Sequence, residues 1–385
     1  MLNFIQIKKQ TMSKTNKIAI ILAGGNGKKI WPISNSTTPE QFIPLVGNST
    51  LFQHSVKLIS NLFDKNNIYL VINKKIKELA VTQTNLVKEE NIFVEPSAKQ
   101  TAPALGLALT LIDEKYSDDT IICVFPSDQL IKNVNEYYDA INTACDTATN
   151  LNSLVTIGVQ PSRPDTNLGY IQFAEARSNK KNEDLSDELF NKGIRKSIIF
   201  SEKPDLETAK RFIRSGDFVW NSGILIARKS VLKTTFQKFL NYHYEKLQNI
   251  KNIYGTEEYT AELIDIYKTF NKISIDYGIL ENAENIYVVK ASFSWNSISS
   301  WNEVHRVQLK DAMDNVLQGN VIAINTNNSL AISNDKLVAI MGMDDVVVVN
   351  SDKAILVCKK NESDKIDELV DFISNANVRL GINKS

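Results

Sequence analysis

The sequence of 385 residues has few cysteines, no excess of either charge and no long apolar run. Its three cysteines, Cys123, Cys145 and Cys358, form no CxxC pair and no metal-ligand spacing, which indicates reduced thiols of a cytoplasmic protein. Lys plus Arg and Asp plus Glu both total 44, so the net charge is zero and no nucleic-acid partner is expected. The longest apolar runs are too short to span a bilayer, which argues against a membrane protein.

The apolar content of 43% is enough for a sizeable core, and the length predicts two domains. Up to residue 310, short β-rich runs alternate with stretches of helical periodicity, which predicts a doubly wound, mostly parallel α/β sheet. The predicted strands are Ile18–Leu22, Ile68–Ile72, Ile121–Phe125, Leu154–Gly158, Ile198–Phe200 and Gly223–Ala227. The predicted helices are 51–63, 101–115 and a helix after Pro204 that Gly216 ends.

The two ends of the chain differ from this pattern. Residues 1–16 are polar and basic, which predicts a disordered leader before an α/β domain at 17–310. Residues 311–385 are rich in strand-forming runs separated by Asn, Asp and Gly, and they end in an amphipathic stretch at 365–373. They predict a small β-rich domain with a terminal helix. The polar stretch 179–195 predicts a flexible excursion between strands.

A glycine-rich segment follows the first predicted strand. The apolar run ends at Leu22 and leads into Ala23, Gly24, Gly25, Asn26 and Gly27, after which Lys28 and Lys29 add positive charge. Glycines let backbone N–H groups approach an anion closely, so this segment is interpreted as a phosphate site. It matches neither G-x-x-x-x-G-K-[ST] nor G-x-G-x-x-G. An ordinary glycine turn between strand and helix remains an equal alternative at this point.

Further polar segments lie at the ends of predicted strands. Asp128 follows a predicted strand, where a carboxylate can hold Mg²⁺ or cap a helix. The segment Glu95–Ala104 precedes a helix and can read a base edge or form a simple capped loop. Glu202–Pro204 and Trp220–Gly223 carry polar side chains beside apolar strands, either as ligands or as surface turns.

Taken in order, these segments resemble the bacterial mannose-1-phosphate guanylyltransferases (GDP-mannose pyrophosphorylases), within the sugar-1-phosphate nucleotidyltransferases. That family carries LAGGSGTRLWP, PKQF, EP-x-x-RNTAPA, P-x-DH, P-x-RP-x-T-GYGYI, EKP, WNSG and W-x-D-x-GSW. The counterparts here are Leu22–Pro32, Pro39–Phe42, Glu95–Ala104, Pro126–Gln129, Pro161–Ile171, Glu202–Pro204, Trp220–Gly223 and Trp295–Trp301. The resemblance covers nearly all of residues 17–375, and it implies a short form without the isomerase module of longer relatives.

The resemblance implies a Rossmann-like nucleotidyltransferase domain followed by a small β domain, with a left-handed β-helix as in relatives. It implies in-line attack of mannose 1-phosphate on the α-phosphorus of GTP, assisted by Mg²⁺, with release of pyrophosphate. The expected catalytic residues are Lys28, Lys29 and the metal ligand Asp128. The expected nucleotide contacts are Leu22, Ala23, Gly24, Gly25, Asn26, Gly27, Glu95, Pro96, Gln100, Thr101 and Ala102. The expected sugar-phosphate contacts are Gly169, Tyr170, Glu202, Lys203 and Asn221. A homodimer through the apolar β domain is also expected.

The departures from the family pattern fall on charged positions. Lys28 and Lys29 stand where the signature has Thr-Arg, and a lysine lacks the bidentate fork that grips a phosphate. Glu40 replaces the lysine of PKQF, so a stabilising contact with pyrophosphate becomes repulsive. Ser297 replaces a second Mg²⁺ carboxylate, and a hydroxyl is a poor Mg²⁺ ligand. These changes leave open a catalytically weakened or inactive paralog that binds a nucleotide sugar, or an enzyme using a different NTP or hexose 1-phosphate.

Overall fold

A computed structural model describes residues 16–380. The predicted leader at 1–16 therefore lies, apart from Asn16, outside the described residues. The strands are β1 (Lys17–Leu22), β2 (Ile68–Asn73), β3 (Ile92–Glu95), β4 (Ile121–Pro126), β5 (Gln129–Ile131), β6 (Leu154–Val159), β7 (Gly169–Phe173), β8 (Ile194–Glu202), β9 (Phe218–Arg228), β10 (Ile286–Ala291), β11 (Trp295–Ser297), β12 (Val316–Ile324), β13 (Leu330–Met341), β14 (Val346–Asn350) and β15 (Ile355–Lys359).

The α-helices lie mostly between the strands of the first 310 residues. They are α1 (Leu51–Ser60), α2 (Lys77–Gln83), α3 (Thr101–Ile112), α4 (Val134–Leu151), α5 (Asp187–Asn191), α6 (Leu206–Ser215), α7 (Lys229–Phe239), α8 (Asn241–Gln248), α9 (Glu258–Thr269), α10 (Trp301–Val307) and α11 (Ile366–Leu380). Among residues 16–380, no helix combines the length and the apolar character needed to cross a membrane.

The main sheet has nine strands in the order β3-β2-β1-β4-β9-β6-β10-β8-β7. Strands β3, β2, β1 and β4 run parallel, whereas β9 lies antiparallel between β4 and β6. The doubly wound α/β class is confirmed, and the sheet is mixed: the parallel arrangement holds in the half that contains β1. Apolar runs such as that of β9 show that a strand is buried, but they carry no signal of its direction.

Helices cover both faces of the main sheet at its centre, around β1. In β1, Ala19 and Ile21 belong to one buried cluster with residues of α1 and α4, while Ile18 and Ile20 belong to another with residues of α3, α7, α8 and α9. Successive side chains of a strand point to opposite faces, so a strand between two helical layers is apolar throughout. This is why the run before the glycines is continuous rather than alternating.

Local signals account for two of the connections. Asp205 caps α6 through the amide of Thr208, and Gly216 ends the helix at a φ of 78°, which confirms the helix predicted after Pro204. The stretch 179–195 is not a free excursion. Asn182 is buried and donates to the carbonyl of Ala174, and the stretch includes α5. The stretch is predicted to be flexible because it has few apolar residues, but it is held in part by the buried polar side chain of Asn182, which an apolar pattern does not reveal.

A second sheet, β12-β13-β14-β15, follows α10. Strands β12, β13 and β14 are parallel, and Leu330 pairs with Val347 as Val321 pairs with Val338. Side-chain hydrogen bonds such as Asn327 to Asp344 also join residues 17 apart. The offset between β12 and β13 is 14 residues from Val316 to Gly319 and 17 residues after a bulge, and parallel strands paired at such short repeated offsets have the geometry of stacked β-helix coils. The apolar core of this second sheet includes Ile30, which immediately follows the glycine-rich segment.

Candidate functional site

The glycine loop, residues 23–29, leaves β1 at the centre of the parallel part of the sheet. Leu22 pairs with Val71 of β2 on one side and with Pro126 of β4 on the other. The chain therefore reverses its winding direction at β1, and open α/β sheets bind ligands outside the carboxyl ends of strands at such a switch point. The loop predicted from the glycines lies at the position that this fold class uses for ligands.

Side chains from other segments hold the backbone carbonyls of the loop. Each donates to a backbone carbonyl of the loop or of the residue just before it. These hydrogen bonds run from Gln41 Nε2 to Ala23 O (3.0 Å) and Gly24 O (3.1 Å), from Asn73 Nδ2 to Gly25 O (3.1 Å), from Ser34 Oγ to Gly27 O (2.7 Å), and from Ser127 Oγ to Leu22 O (3.1 Å).

The amides of Ala23 and Lys28 donate to Val71 O (2.9 Å) and Asn26 Oδ1 (3.4 Å), but the four amides between them have no acceptor among the described residues. Within residues 16–380, none of the N–H groups of residues 24–27 donates to another protein group, and Gly24 and Asn26 are exposed. Successive backbone amides with their carbonyls tied back form a concave anion site. The glycine loop can therefore bind an anion such as a phosphate through its backbone alone.

Gly27 fixes the curvature of the loop. Its φ is 66°, and a Cβ at this position would lie 1.9 Å from the carbonyl oxygen of Asn35. A side chain would therefore be strained by the backbone angle and would also collide with another backbone segment. No residue but glycine fits at position 27.

The two lysines after the glycines lie among carboxylates. Lys28 forms an ion pair with Asp371 of α11. Burial of the Lys29 ammonium works to lower its pKa, but the charges of Asp128, Glu40 and Asp367 outweigh burial and raise it. Lys29 is therefore a firmly protonated cation at this edge of the sheet, as expected for a group that interacts with phosphate.

Glu40 lies in the 3-10 turn Glu40–Phe42 and is 6% exposed. Its Oε2 atom is buried and has no hydrogen-bond partner among the described residues. Burial raises the pKa of Glu40, and the charge of Lys29 offsets only part of that effect. Glu40, which stands where the family motif has lysine, therefore places a carboxyl group close enough to Lys29 for their charges to interact.

Asp128 directly precedes β5, and Ser297 lies on β11, the strand that pairs with β5. Strand β11 pairs with β5 so that Ser297 lies opposite Gln129, and the amide of Ile298 donates to the carbonyl of Asp128 (3.2 Å). Among residues 16–380, no three His, Cys, Asp or Glu side chains converge on a metal position. One carboxylate beside a phosphate-binding loop still fits Mg²⁺, which commonly uses one or two carboxylates and completes its shell with phosphates and water.

Glu95 ends β3, beside the glycine loop. Its Oε2 atom lies 3.7 Å from where a Cβ of Gly24 would be, and Oε1 accepts a hydrogen bond from Tyr267 (3.1 Å). Burial raises the pKa of Glu95 to about 8, although the bond from Tyr267 works in the opposite direction. This carboxyl group is thus mostly protonated at neutral pH, and it lies beside Gly24 of the glycine loop.

The rest of the predicted base-binding segment divides into two groups. Pro96 is half-buried and Gln100 is exposed, with a positive φ of 69° at the start of α3. Thr101 and Ala102 are instead bonded to residues 273–275. The expectation that Ala102 contacts a base is wrong for its side chain and its amide, because the side chain is buried and the amide donates to a carbonyl.

The predicted sugar residues meet on adjacent antiparallel strands. Gly169 of β7 pairs with Glu202 of β8, and Asn221 of β9 pairs with Gly158 of β6. A Cβ at position 169 would lie 2.6 Å from Glu202 Oε2 and 3.1 Å from Phe200 Cζ, so a larger residue there would have to displace the Glu202 carboxylate. Lys203 follows Glu202, and their charged atoms are 4.0 Å apart. Gly169, Glu202, Lys203 and Asn221 are termed the sugar edge, and residues 22–29 are termed the phosphate edge.

Tyr170 does not line the sugar edge. Its side chain is fully buried, and its hydroxyl accepts a hydrogen bond from the amide of Asp165 (2.9 Å). Its ring packs 5.4 Å from that of Phe212. The structure thus corrects the prediction for the Tyr170 side chain, which supports the preceding loop. An aromatic residue beside a glycine motif does not reveal which way its ring points.

Asp276 joins the sugar edge from a π-helical turn, Asp276–Leu280. It accepts a hydrogen bond from Asn221 Nδ2 (2.9 Å), while Asn221 Oδ1 accepts from Thr156 (2.8 Å). Burial, together with the charge of Asp276, raises the pKa of Glu202 to about 7. The sugar edge is therefore acidic and carries protons near neutral pH.

Sequence reasoning missed the residues that shape the site from a distance. They are Ser34, Gln41, Asn73, Tyr267, Asp276, Asp367 and Asp371. Gln41 belongs to the recognised PKQF counterpart, and that motif could have pointed to it. A single acid inside the apolar stretch 273–280 was the signal for Asp276. Nothing local links Asp367 and Asp371 to a loop more than 300 residues away.

Comparison with known protein families agrees with this arrangement. The family described as "Nucleotidyl transferase" matches residues 18–313, and the "MannoseP isomerase/GMP-like beta-helix domain" matches residues 319–372. A mannose-1-phosphate guanylyltransferase of Sinorhizobium fredii is 30% identical over 92% of this chain and 67% of its own length. A Klebsiella pneumoniae protein of the same name is 30% identical over 92% of this chain and 74% of its length.

Solved structures are similar as well. A Thermus thermophilus crystal structure, described as a mannose-1-phosphate geranyltransferase, has a TM-score of 0.79 and 26% identity, and the match covers 93% of this chain and 99% of that one. The match extends over both sheets. The chain therefore belongs to the nucleotidyl transferase family, in its mannose-1-phosphate guanylyltransferase branch, and carries the β-helix domain of that branch after the nucleotidyltransferase domain.

Proposed function

We propose that this chain transfers a guanylyl group from GTP to mannose 1-phosphate and releases pyrophosphate. The observation that carries the proposal is the glycine loop: among the described residues the amides of residues 24–27 are unpaired, while the carbonyls of Gly24, Gly25 and Gly27 accept hydrogen bonds from side chains. Membership of the guanylyltransferase branch supports the choice of GTP and mannose 1-phosphate as substrates. The remaining residues are assigned by their position around this loop.

In this proposal the phosphate edge binds the triphosphate and the sugar edge binds the sugar phosphate. The loop amides and Lys29 hold the phosphate oxygens, and Glu95 lies beside the loop on the side proposed for guanine. Glu202, Lys203 and Asn221 hold the hexose and its phosphate. The attacking oxygen belongs to a phosphate that is already ionised, so no general base is required. Positioning and neutralisation of charge supply the rate enhancement.

We propose Asp128 as the Mg²⁺ ligand of the site. The Ser297 hydroxyl, on the strand paired with β5, would lie near the same ion, and phosphate oxygens would complete the shell. When bound, Mg²⁺ would offset negative charge on the phosphates. The proposed reaction belongs in the cytoplasm, since the cysteines of the chain are unbridged.

The direct test uses the purified chain with GTP, mannose 1-phosphate and Mg²⁺. Release of pyrophosphate together with GDP-mannose is the expected result. ATP, dTTP and UTP, and glucose 1-phosphate as acceptor, are run in parallel. Turnover with another pair only would assign a different specificity, and no turnover with any pair would reject the catalytic proposal.

A second candidate is a weakened or inactive paralog that binds a nucleotide sugar. The buried Glu40 carboxyl near Lys29 and the hydroxyl at Ser297 favour it. Restoring the family charges with Glu40→Lys and Ser297→Asp discriminates between the two. An increase in turnover of about tenfold or more identifies these two residues as the limiting departures. A fall in activity means that this protein relies on its own arrangement of charges.

We also propose a homodimer formed through the second sheet. Strand β12 is an edge strand of that sheet, and Ile322, Ile324, Leu337 and Met341 on β12 and β13 are half or more exposed. Exposed apolar rows on an edge strand favour association. Sedimentation of the wild type and of Ile324→Lys tests the proposal: the wild type sediments as a dimer and the variant as a monomer.

A further inference from the structure

The C-terminal helix α11 presents two acidic side chains to the two lysines of the glycine loop. Asp371 forms the ion pair with Lys28, and the charge of Asp367 acts on Lys29. Residues four apart on a helix lie on the same face, so both carboxylates come from one side of α11. The loop that can bind phosphates thus has carboxylates of its own chain beside it.

The start of α11 is held next to the loop by packing. Ile366 is buried in the same apolar cluster as Ile30, which follows Lys29 directly. The Ser363 hydroxyl, just before the helix, accepts a hydrogen bond from the amide of Asn302 (3.1 Å). These contacts fix where the helix begins, and the acidic face follows within two turns.

The contact between α11 and the glycine loop is attractive, but it is weak enough for α11 to be released. Asp367 Oδ1 is buried without a hydrogen-bond partner among the described residues. Such a carboxylate oxygen loses hydration and gains no bond in return, which makes the docked position costly. The ion pair of Lys28 is weak for a different reason: the Asp371 side chain is 58% exposed, and solvent screens exposed pairs.

Lys28 is a cation of the glycine loop itself, and its side chain reaches α11. Lys28 and Asp371 thus supply both halves of an ion pair, one from the glycine loop and one from the C-terminal helix. A triphosphate carries more negative charge than a carboxylate and would compete for the same ammonium.

We propose that α11 is an acidic latch on the glycine loop: Asp367 and Asp371 neutralise the two lysines until the phosphates of a nucleotide displace them. The proposal rests on the proposed function, because it takes the loop as the triphosphate site. Nucleotide binding and docking of α11 are then competing events. The latch lowers the affinity of the site for phosphates and for other anions.

Calorimetry with inorganic tripolyphosphate and with GTP, both with Mg²⁺, tests the competition. Asp371→Asn should tighten both ligands about three- to fivefold, the range for a half-exposed ion pair, and Asp367→Asn/Asp371→Asn should tighten them further. Glu368→Gln, which removes an exposed charge from the same helix, is the matched control and should leave both affinities unchanged. Weaker or unchanged binding in Asp371→Asn overturns the latch.

Hydrogen exchange of residues 366–376 supplies a second readout in the wild type. Tripolyphosphate should speed exchange there, and unchanged or slower exchange contradicts displacement of the helix. The two proposals fail in different ways. Tripolyphosphate binding that tightens in Asp371→Asn without any guanylyltransfer supports the latch and rejects the enzymatic function. Guanylyltransfer with affinities unaffected by Asp371→Asn supports the enzyme and rejects the latch.

Discussion

The phosphate edge and the sugar edge are built on different physical principles. At the phosphate edge, neutral side chains such as Gln41 and Asn73 bond to the loop carbonyls, and the shape of the backbone follows from those bonds. At the sugar edge, the neighbouring groups are titratable: Glu202 lies in the field of Asp276, which bonds to Asn221. The backbone shape of the first edge depends on neutral hydrogen bonds, although Glu40 and Glu95 beside it also have raised pKa values, whereas the hydrogen-bonded groups of the second edge are themselves titratable.

Because of this difference, the two edges should respond differently to substitutions and to changes of pH. A loop held by neutral hydrogen bonds keeps its geometry across pH, but it fails when a carbonyl loses its donor or a glycine gains a side chain. An acidic cluster tolerates small changes of shape but changes its charge near neutral pH, because burial and like charges raise the pKa of its carboxyl groups. Substitutions and pH should therefore affect the two edges separately.

The largest effect is expected from Gly27→Ala. The new Cβ would lie 1.9 Å from the Asn35 carbonyl, and kcat/KM for GTP should fall by about 100-fold or more. Gly216→Ala is the matched control, since its φ is also positive at 78° but no atom lies within 4 Å of the added Cβ. If both variants lose activity equally, global strain explains the loss rather than the shape of the glycine loop.

A smaller loss is expected from Gln41→Ala. It leaves the carbonyls of Ala23 and Gly24 without their side-chain donor, at a cost of about 1–3 kcal/mol, so kcat/KM should fall about tenfold or more. Steady-state kinetics in GTP measures the effect, with the exposed Gln318→Ala as control. Unaltered kinetics in Gln41→Ala would mean that the loop keeps its shape without this donor.

The smallest effect is expected from Glu202→Gln, and it appears in the pH dependence of stability. The pKa of Glu202 is about 7 in the folded protein and 4.5 ordinarily, so between these values the folded chain holds a proton that the unfolded chain has lost. This contribution is complete below pH 4.5 and is lost as the pH rises through 7. The wild-type unfolding temperature should fall across that window.

Glu202→Gln should flatten part of that fall, and the exposed Glu136→Gln should leave it intact. Thermal unfolding between pH 5 and pH 8 measures both slopes. A residual slope remains expected, because burial also raises the pKa values of Glu95 and Glu40. Identical slopes in the wild type and Glu202→Gln would remove the distinction between the two edges.

The sequence predicted the phosphate edge better than the sugar edge, for a physical reason. The loop follows from glycines beside a buried strand, which are local signals, and the resemblance extended them into an ordered site. Asp276 reaches the sugar edge from a π-helical turn, and the ring of Tyr170 is buried in the core. Tertiary packing determines the position of both side chains, so the local sequence does not reveal it. The direction of β9 and the contact of Asp371 with Lys28 likewise depend on the whole fold.

The domain limits at 17–310 and 311–385 and the left-handed sense of the β-helix stay predictions. The cluster that includes Ile30 and Trp301 also contains Val316 and Ile366, so the core of the second sheet continues into residues beside the glycine loop. We therefore expect that cutting the chain near residue 310 destabilises the phosphate edge. Trp301 contributes to this junction by donating from Nε1 to the Trp31 carbonyl (2.9 Å).

The central claim is that unpaired backbone amides of the glycine loop bind the phosphates of a nucleotide. Selective ¹⁵N labelling of the 15 glycines, followed by titration with GTP and Mg²⁺, tests it most directly. The amide signals of Gly24, Gly25 and Gly27 should shift strongly, while those of Gly216 and Gly47 should not. Shifts confined to other glycines, or none at saturating GTP, would contradict the claim.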